Sequence, residues 1–249
     1  MSFAKGDIFD LVQHLDPTLS FGQACKELRR LVGVAPTFPE MMRPVRPDVP
    51  HRSVAERWKR RPRPRHGSPA WCYLSGQRCI PASVLTAAAE ADSVRDGSFR
   101  NAWFAHRGED GAVTHVEIRG PDYKGSLRGG TKTLFRFGPA GQGVCRLAVT
   151  EAPIDALSLA AIERPRGDTL HLATGGGIGP GTVSALQHAI RAIAGHPGAR
   201  LVAATDANRA GDRYAERLSE IAAGSGIQVE RLRPIHATDW NDMLQGKAD

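Results

Sequence analysis

Two acidic residues stand where a reaction site could be built. Glu151 directly follows the apolar run Leu147–Thr150, and Asp206 directly follows Leu201–Thr205. Both runs read as strands that feed helices. In open parallel sheets, sites form beyond the C-terminal ends of the strands, so both carboxylates would project from one sheet edge. Carboxylates gathered there repel one another unless a cation neutralises them, and oxygen-only ligands favour Mg²⁺ or Mn²⁺. Each acid is read equally well as a helix N-cap, and spacing alone leaves the two readings open.

The elements that must position these acids lie between residues 146 and 233. Strands are expected at Arg146–Thr150, Thr169–Ala173, Arg200–Thr205 and Gln228–Arg233, and helices at Pro153–Ile162, Gly181–Ala194 and Asn208–Ala223. Strands alternating with helices imply right-handed crossovers and a parallel sheet covered on both faces. Gly175-Gly176-Gly177 follows a strand and precedes a helix. Backbone amides there could cradle an anion, and a plain tight turn is the alternative.

Upstream, Pro81–Ala91 is helical in pattern. Asn101–His106 and Val113–Arg119 are strand-like and flank a turn at Gly108–Gly111. Residues 6–33 read as two short amphipathic helices, the second with Ser20 as N-cap. Between them, residues 35–69 are rich in proline and arginine and read as an extended linker, with one helical turn around Val54–Trp58. From Met41 to His66 there are nine Arg/Lys residues and two acids, an excess equal to the whole net charge of +7. Such a concentration points to a polyanionic partner, or to a solvated tether. The four cysteines form no CxxC pair, so no zinc site is expected. No apolar stretch approaches the ~18 residues of a membrane span, and the N-terminus lacks a signal-peptide pattern, so a cytoplasmic protein without membrane contact is expected.

The strings VTEAPIDALSLAA, AATDANRAGDRYAERL and TDWNDML resemble the motifs of Toprim domains, shared by bacterial primases, topoisomerases and some nucleases. The stretch from VLTAAAEADSVRDG to KGSLRGGTKTLFRF resembles the uncharacterised domain that often precedes Toprim in plasmid-type proteins, and residues 5–33 resemble the helical tail that follows a primase zinc ribbon. The resemblance implies an α/β chain: a helical tail at 1–34, the basic linker at 35–69, a small α+β domain at 70–140, and a Rossmann-like Toprim domain at 141–249.

Carried over by position, Glu151 is the family's acid/base or metal-polarising glutamate and Asp206 the first metal-binding aspartate of D-x-D. The second is replaced by Asn208, whose amide oxygen can bind a cation but brings no charge. Asp212, one helical turn on and on the same face, is placed to compensate. Asp155 matches the acid of an E-x-x-x-D pattern and serves equally well at a helix N-terminus. Asp239 and Asp242 either cap the last helix or approach the metal, and Trp240 reads as a packing anchor. Arg119, Lys124, Arg128 and Lys132 lie in the basic segment that in primases faces nucleotide and template. The resemblance implies a Mg²⁺-dependent, primase-like nucleotidyltransferase of a mobile element, with single-stranded DNA and nucleotides as partners and a helicase or relaxase as a further one. A metal-dependent nuclease and a catalytically weak DNA-binding accessory protein remain the alternatives.

Overall fold

A computed structural model describes residues 7–16, 18–19, 21–32, 52–139, 141, 143–164 and 166–247. Ser20 and residues 33–51, which include the first part of the expected linker (35–51), lie outside them. The chain divides into two units, Met1–His51 and Arg52–Asp249. In the first, α1 (Ile8–Leu15) and α2 (Phe21–Leu31) meet through Phe9 and Phe21, with ring centroids 5.3 Å apart, and Ala24 is buried.

The second unit begins inside the stretch expected to be linker. Helix α3 (Val54–Lys59) carries a full capping box: Ser53 Oγ accepts from the Glu56 N–H, and Glu56 accepts from the Ser53 N–H. Its Trp58 is buried against Trp103, Val116 and Ile118, and Trp58 Nε1 donates to Asp92 at 2.9 Å. Residues 52–69 are thus anchored to the body of the protein rather than extended, because Val54 and Trp58 are the apolar positions one helical turn apart.

After α4 (Pro69–Cys72), a π-helical turn (Tyr73–Gln77) and α5 (Ala82–Glu90), the chain builds one mixed sheet. Its strands are β1 (Val94–Asp96), β2 (Ala102–Arg107), β3 (Val113–Arg119), β4 (Lys124–Ser126), β5 (Leu134–Phe137), β6 (Arg146–Thr150), β7 (Thr169–Ala173), β8 (Arg200–Ala203) and β9 (Gln228–Arg231). The order is β4-β3-β2-β5-β7-β6-β8-β9, with β1 also on β2. Strands β7, β6, β8 and β9 run parallel. Strand β5 joins them to the N-terminal hairpins by pairing antiparallel with β7, so the sheet runs unbroken across the boundary expected at residue 141.

Helices α6 (Pro153–Glu163), α7 (Pro180–Ile193), α8 (Arg209–Ala222) and α9 (Trp240–Leu244) complete the unit. Side chains alternate across the pleat, so each strand serves two cores. Leu147 and Val149 pack with α7 and α8, whereas Ala148 packs with Leu159 of α6 and Trp240 of α9. A third core joins α4, α5 and α6 over Phe104, Phe135 and Ala173, and so combines residues from both sides of that boundary. This is the mixed α/β architecture expected, with the parallel part at the C-terminal end of the chain.

Candidate active site

Helix α6 starts at Pro153, whose missing N–H costs nothing at a first helical position. The preceding turn leaves Glu151 at the tip of β6. Glu151 Oε1 accepts the backbone N–H of Asp206 at 3.3 Å, which ties the tips of β6 and β8 together. The backbone between β8 and α8 can close this tightly only because residue 211 is glycine: a Cβ there would stand 2.0 Å from the Asp206 carbonyl oxygen. The Thr205 hydroxyl donates to the Gly211 carbonyl at 2.6 Å and fixes the same turn.

The carboxylates at this edge are poorly compensated. Asp206 Oδ1 is buried and has no hydrogen-bond partner. Burial, then the charges of Glu151 and Asp239, push the Asp206 pKa up to about 7, against Arg231 and Lys124. Burial also raises Glu151, although the Asp206 N–H, Arg231 and Lys124 favour its charge. Asp155, fully buried in the first turn of α6, is raised well above the carboxylate range by burial and by Asp239, Asp206 and Glu151. It accepts the Asn241 N–H at 3.3 Å, and this links α6 to α9.

The other expected residues separate into three groups. Asn208 is the N-cap of α8: its Oδ1 accepts the N–H groups of Ala210 and Gly211, both at 2.9 Å, and so faces the helix. Asp212 pairs with Arg233 at 2.6 Å and with Arg231 at 3.4 Å, and the same Arg231 Nη2 donates to the Asp206 carbonyl at 2.7 Å. Asp239 caps α9 by accepting the Asp242 N–H at 2.7 Å while its charge still reaches Asp155 and Asp206. Asp242 pairs with Lys247 at 3.4 Å. Trp240 is an anchor, donating to the Ala204 carbonyl at 2.7 Å.

Among the basic residues, Lys124 on β4 is exposed and acts on both Glu151 and Asp206. Arg128 is exposed, and its carbonyl accepts from Arg57. Lys132 and the glycine loop meet: Lys132 Nζ donates to the Gly175 carbonyl at 2.6 Å. The Gly176 N–H donates to the Glu151 carbonyl at 3.0 Å, so this amide is not free for an anion. Gly175 and Gly176 both have φ of +70°, where glycine is favoured.

Beneath Gly175 lies a cluster of which the sequence marked only Arg119, and there as a nucleic-acid contact rather than the partner of Glu117. A Cβ at residue 175 would stand 2.7 Å from Glu117 Oε2 and 2.8 Å from His106 Cε1. Glu117 pairs with Arg119, and His106 Nε2 stands 3.6 Å away. Burial raises the Glu117 pKa, but His106 and Arg119 together outweigh it and the carboxyl ends below its ordinary value. His115, stacked edge-on to His106 at 5.1 Å, is pushed down to about 4 by burial, with His106 and Lys132 adding to the effect. The signal was the alternation of His115, Glu117 and Arg119 with Val116 and Ile118. It reads as a strand with one wet face, yet the glycine loop covers that face.

Residues 148–244 match the family described as Toprim-like. The C-terminal region is a Toprim-like domain. Residues 72–143 match a family described as "Protein of unknown function (DUF3991)". No curated protein matches the chain. Among solved structures, the chain is similar to the primase fragment of the Bacteriophage T7 primase-helicase protein, at 17% identity and a TM-score of 0.42 over 66% of each chain. It spans just under two thirds of that fragment. It is also similar to the Aquifex aeolicus primase zinc-binding and RNA polymerase domains, at 13% identity and a TM-score of 0.48, over 97% of this chain and 67% of that one. The DnaG primase catalytic domain bound to ssDNA gives 17% identity and a TM-score of 0.47, over 73% and 70%. Among the described residues, no helix is long and apolar enough to cross a membrane.

The donor set at the acidic edge suits a divalent cation. Among the described residues, no three His, Cys, Asp or Glu side chains form a cage for a metal ion. Mg²⁺ needs no such cage: it commonly takes one or two carboxylates and completes its shell with water and substrate phosphate. Two adjacent carboxylates, one with a buried oxygen lacking any partner, fit that mode of binding.

Proposed function

We propose that the chain is a Mg²⁺- or Mn²⁺-dependent enzyme of nucleic-acid phosphodiester chemistry, a primase-like nucleotidyltransferase acting with nucleotides on single-stranded DNA. The unpartnered, buried Oδ1 of Asp206 carries this reading, because a buried carboxylate oxygen with no donor, set beside Glu151, is suited to ligate a cation. Glu151 and Asp206 would hold the ion, which supplies charge neutralisation at phosphate oxygens. Glu151, whose affinity for a proton is raised by burial, is suited to accept one at Oε2 while Oε1 stays on the Asp206 N–H. Lys124 adds a positive charge facing both acids, and Lys132 holds the glycine loop. The basic stretch 41–66 would add affinity for the strand without sequence preference. The setting would be cytoplasmic, in replication or transfer of a mobile element, with a helicase or relaxase as protein partner.

A second reading, a catalytically weak single-stranded DNA-binding accessory protein, is favoured by one observation. Asn208 spends its amide oxygen on the α8 cap, so the place of the second D-x-D aspartate brings no charge to the edge. One experiment separates the readings: full-length protein with NTPs or dNTPs, labelled single-stranded DNA, and Mg²⁺ or Mn²⁺. Primer synthesis or extension that disappears in Asp206→Ala supports the first. Shortening of the labelled strand supports a nuclease, and binding with neither reaction supports the accessory protein.

A further inference from the structure

A cleft of about 510 Å³ opens far from the acidic edge. Leu147 and Leu170, the second residues of β6 and β7, form part of its wall with Val144, which places it toward the N-terminal ends of the parallel strands. Glu151 lies past the other end of β6, roughly 13 Å of strand away at about 3.3 Å per residue. Arg107, Arg136 and His188 also line it and make it basic.

Arg136 is the unusual member. It sits on β5, on the same sheet face as Leu134, beside α7. Its Nε and Nη2 are buried and have no hydrogen-bond partner. Arg107, by contrast, is fully engaged with Asp92 and with the Gly111 carbonyl. Glu109 is the acid facing this region, but its carboxylate is held by His188 Nδ1 at 3.3 Å, and no hydrogen bond joins it to Arg136. Burial pulls the Arg136 pKa down, and the Glu109 charge offsets only part of this. A half-buried guanidinium without an acceptor costs free energy that an anion would recover. Planar, multi-donor arginine suits phosphate especially well.

We infer that this cleft binds the phosphates of a mononucleotide on Arg136, with the nucleoside against Phe137, Pro139 and Leu170, as a second site distinct from the acidic edge. The volume fits one small ligand rather than a strand, since pockets for such ligands run from about 300 to 1,000 Å³. The apolar wall distinguishes a nucleoside phosphate from free inorganic phosphate. Occupancy here would sense nucleotide supply without using the ion held by Glu151 and Asp206.

The test is calorimetric titration of the full chain with ATP in excess EDTA, which silences the metal-dependent edge and separates this inference from the proposed activity. ATP should bind, and inorganic triphosphate should bind at least tenfold more weakly. Arg136→Gln should weaken ATP at least tenfold. So should Ala192→Glu, which sets a negative charge on the exposed rim of the same cleft and decides the matter if Arg136→Gln fails to fold. Asp206→Ala should bind ATP as the wild type does. Absence of ATP binding in EDTA, wild-type affinity in Ala192→Glu, or equal affinity for triphosphate and ATP would each overturn the inference. So would preferential binding of a 12-residue oligonucleotide that Arg136→Gln weakens, because that result assigns the cleft to a strand.

Discussion

The two ends of the parallel sheet treat their carboxylates in opposite ways. At the N-terminal ends, Glu163 and Asp168 each have a matched cation. Glu163 takes a bidentate pair from Arg146, at 2.6 and 2.8 Å, and a contact from His171 at 3.1 Å. Burial opposes its charge, yet His171 and Arg146 bring its pKa down to about 2. Asp168 is held below its ordinary range mainly by Arg166, with Thr169 and Arg200 assisting. At the C-terminal ends, Glu151, Asp206 and Asp155 face one another, and each is pushed upward. For its carboxylates, the fold therefore carries a settled end and an unsettled end. The unsettled end is where ligands bind in open α/β sheets, and uncompensated carboxylates there suit the cation proposed above.

The contrast breaks most visibly at its settled end. Arg146→Ala leaves Glu163 half-stripped of partners in a largely buried place, and such losses typically cost about 3–5 kcal/mol. The melting temperature should fall by roughly 6–20 °C in a thermal unfolding scan, on the usual scaling for a chain of this size. A fall of under a degree would show that the pair is not structural.

Next in size is the closure of the acidic edge. Gly211→Ala must push the Asp206 carbonyl away, and so should lower Mn²⁺ affinity at least tenfold in calorimetry. Unchanged affinity would mean that the spacing of Glu151 and Asp206 is not what holds the ion.

The unsettled end should respond with opposite sign. The Asp206 pKa of about 7 lies above the ordinary 3.8, so its protonated form is the one the metal-free fold favours. That contribution is complete below about pH 4 and is lost as pH rises through about 7. Asp206→Asn should therefore stabilise the metal-free protein at pH 8 by about 1–2 kcal/mol, reduced by solvent screening, and the gain should shrink toward pH 4. Added Mg²⁺ should raise the melting temperature of the wild type and not of the variant. Destabilisation of the variant at pH 8 would remove the argument that this carboxylate awaits a cation.

The smallest effect belongs to the amide beside it. Asn208→Ala should cost about 1 kcal/mol through the lost α8 cap and leave Mn²⁺ affinity unchanged. Asn208→Asp should keep the cap. Tighter Mn²⁺ binding in that variant would show that residue 208 can serve the edge when charged.

Much of this was readable from the chain. The β6, β7 and β8 runs are short, apolar and followed by helix starters, so both Glu151 and Asp206 could be placed at strand tips. The joining strands were not. Lys124–Ser126 has no apolar alternation, and it becomes β4 only by pairing with β3. Leu134–Phe137 is interrupted by Arg136, whose side chain faces a cleft rather than a core. Tertiary partners decided both, as is usual for strands. The helical turn at Val54–Trp58 was legible, but the prolines around it read as linker and hid the burial of Trp58 in the body of the protein. The direction of the Asn208 amide could not be read either, since capping and cation binding call for the same oxygen.

The antiparallel joint between β5 and β7 carries a practical consequence. A fragment starting near residue 141 would contain all of the Toprim-like match but would bare the edge of β7 along Leu172 and Ala173. It would also uncover the faces of Ile154 and Leu157 that rest on Phe104 and Phe135. An open strand edge beside exposed apolar surface is a template for pairing between molecules. Such a fragment should precipitate or form strand-paired multimers, whereas a cut near residue 51 leaves the sheet intact. The smallest piece that can be handled on its own is therefore larger than the matched family, and begins with the helix that carries Trp58.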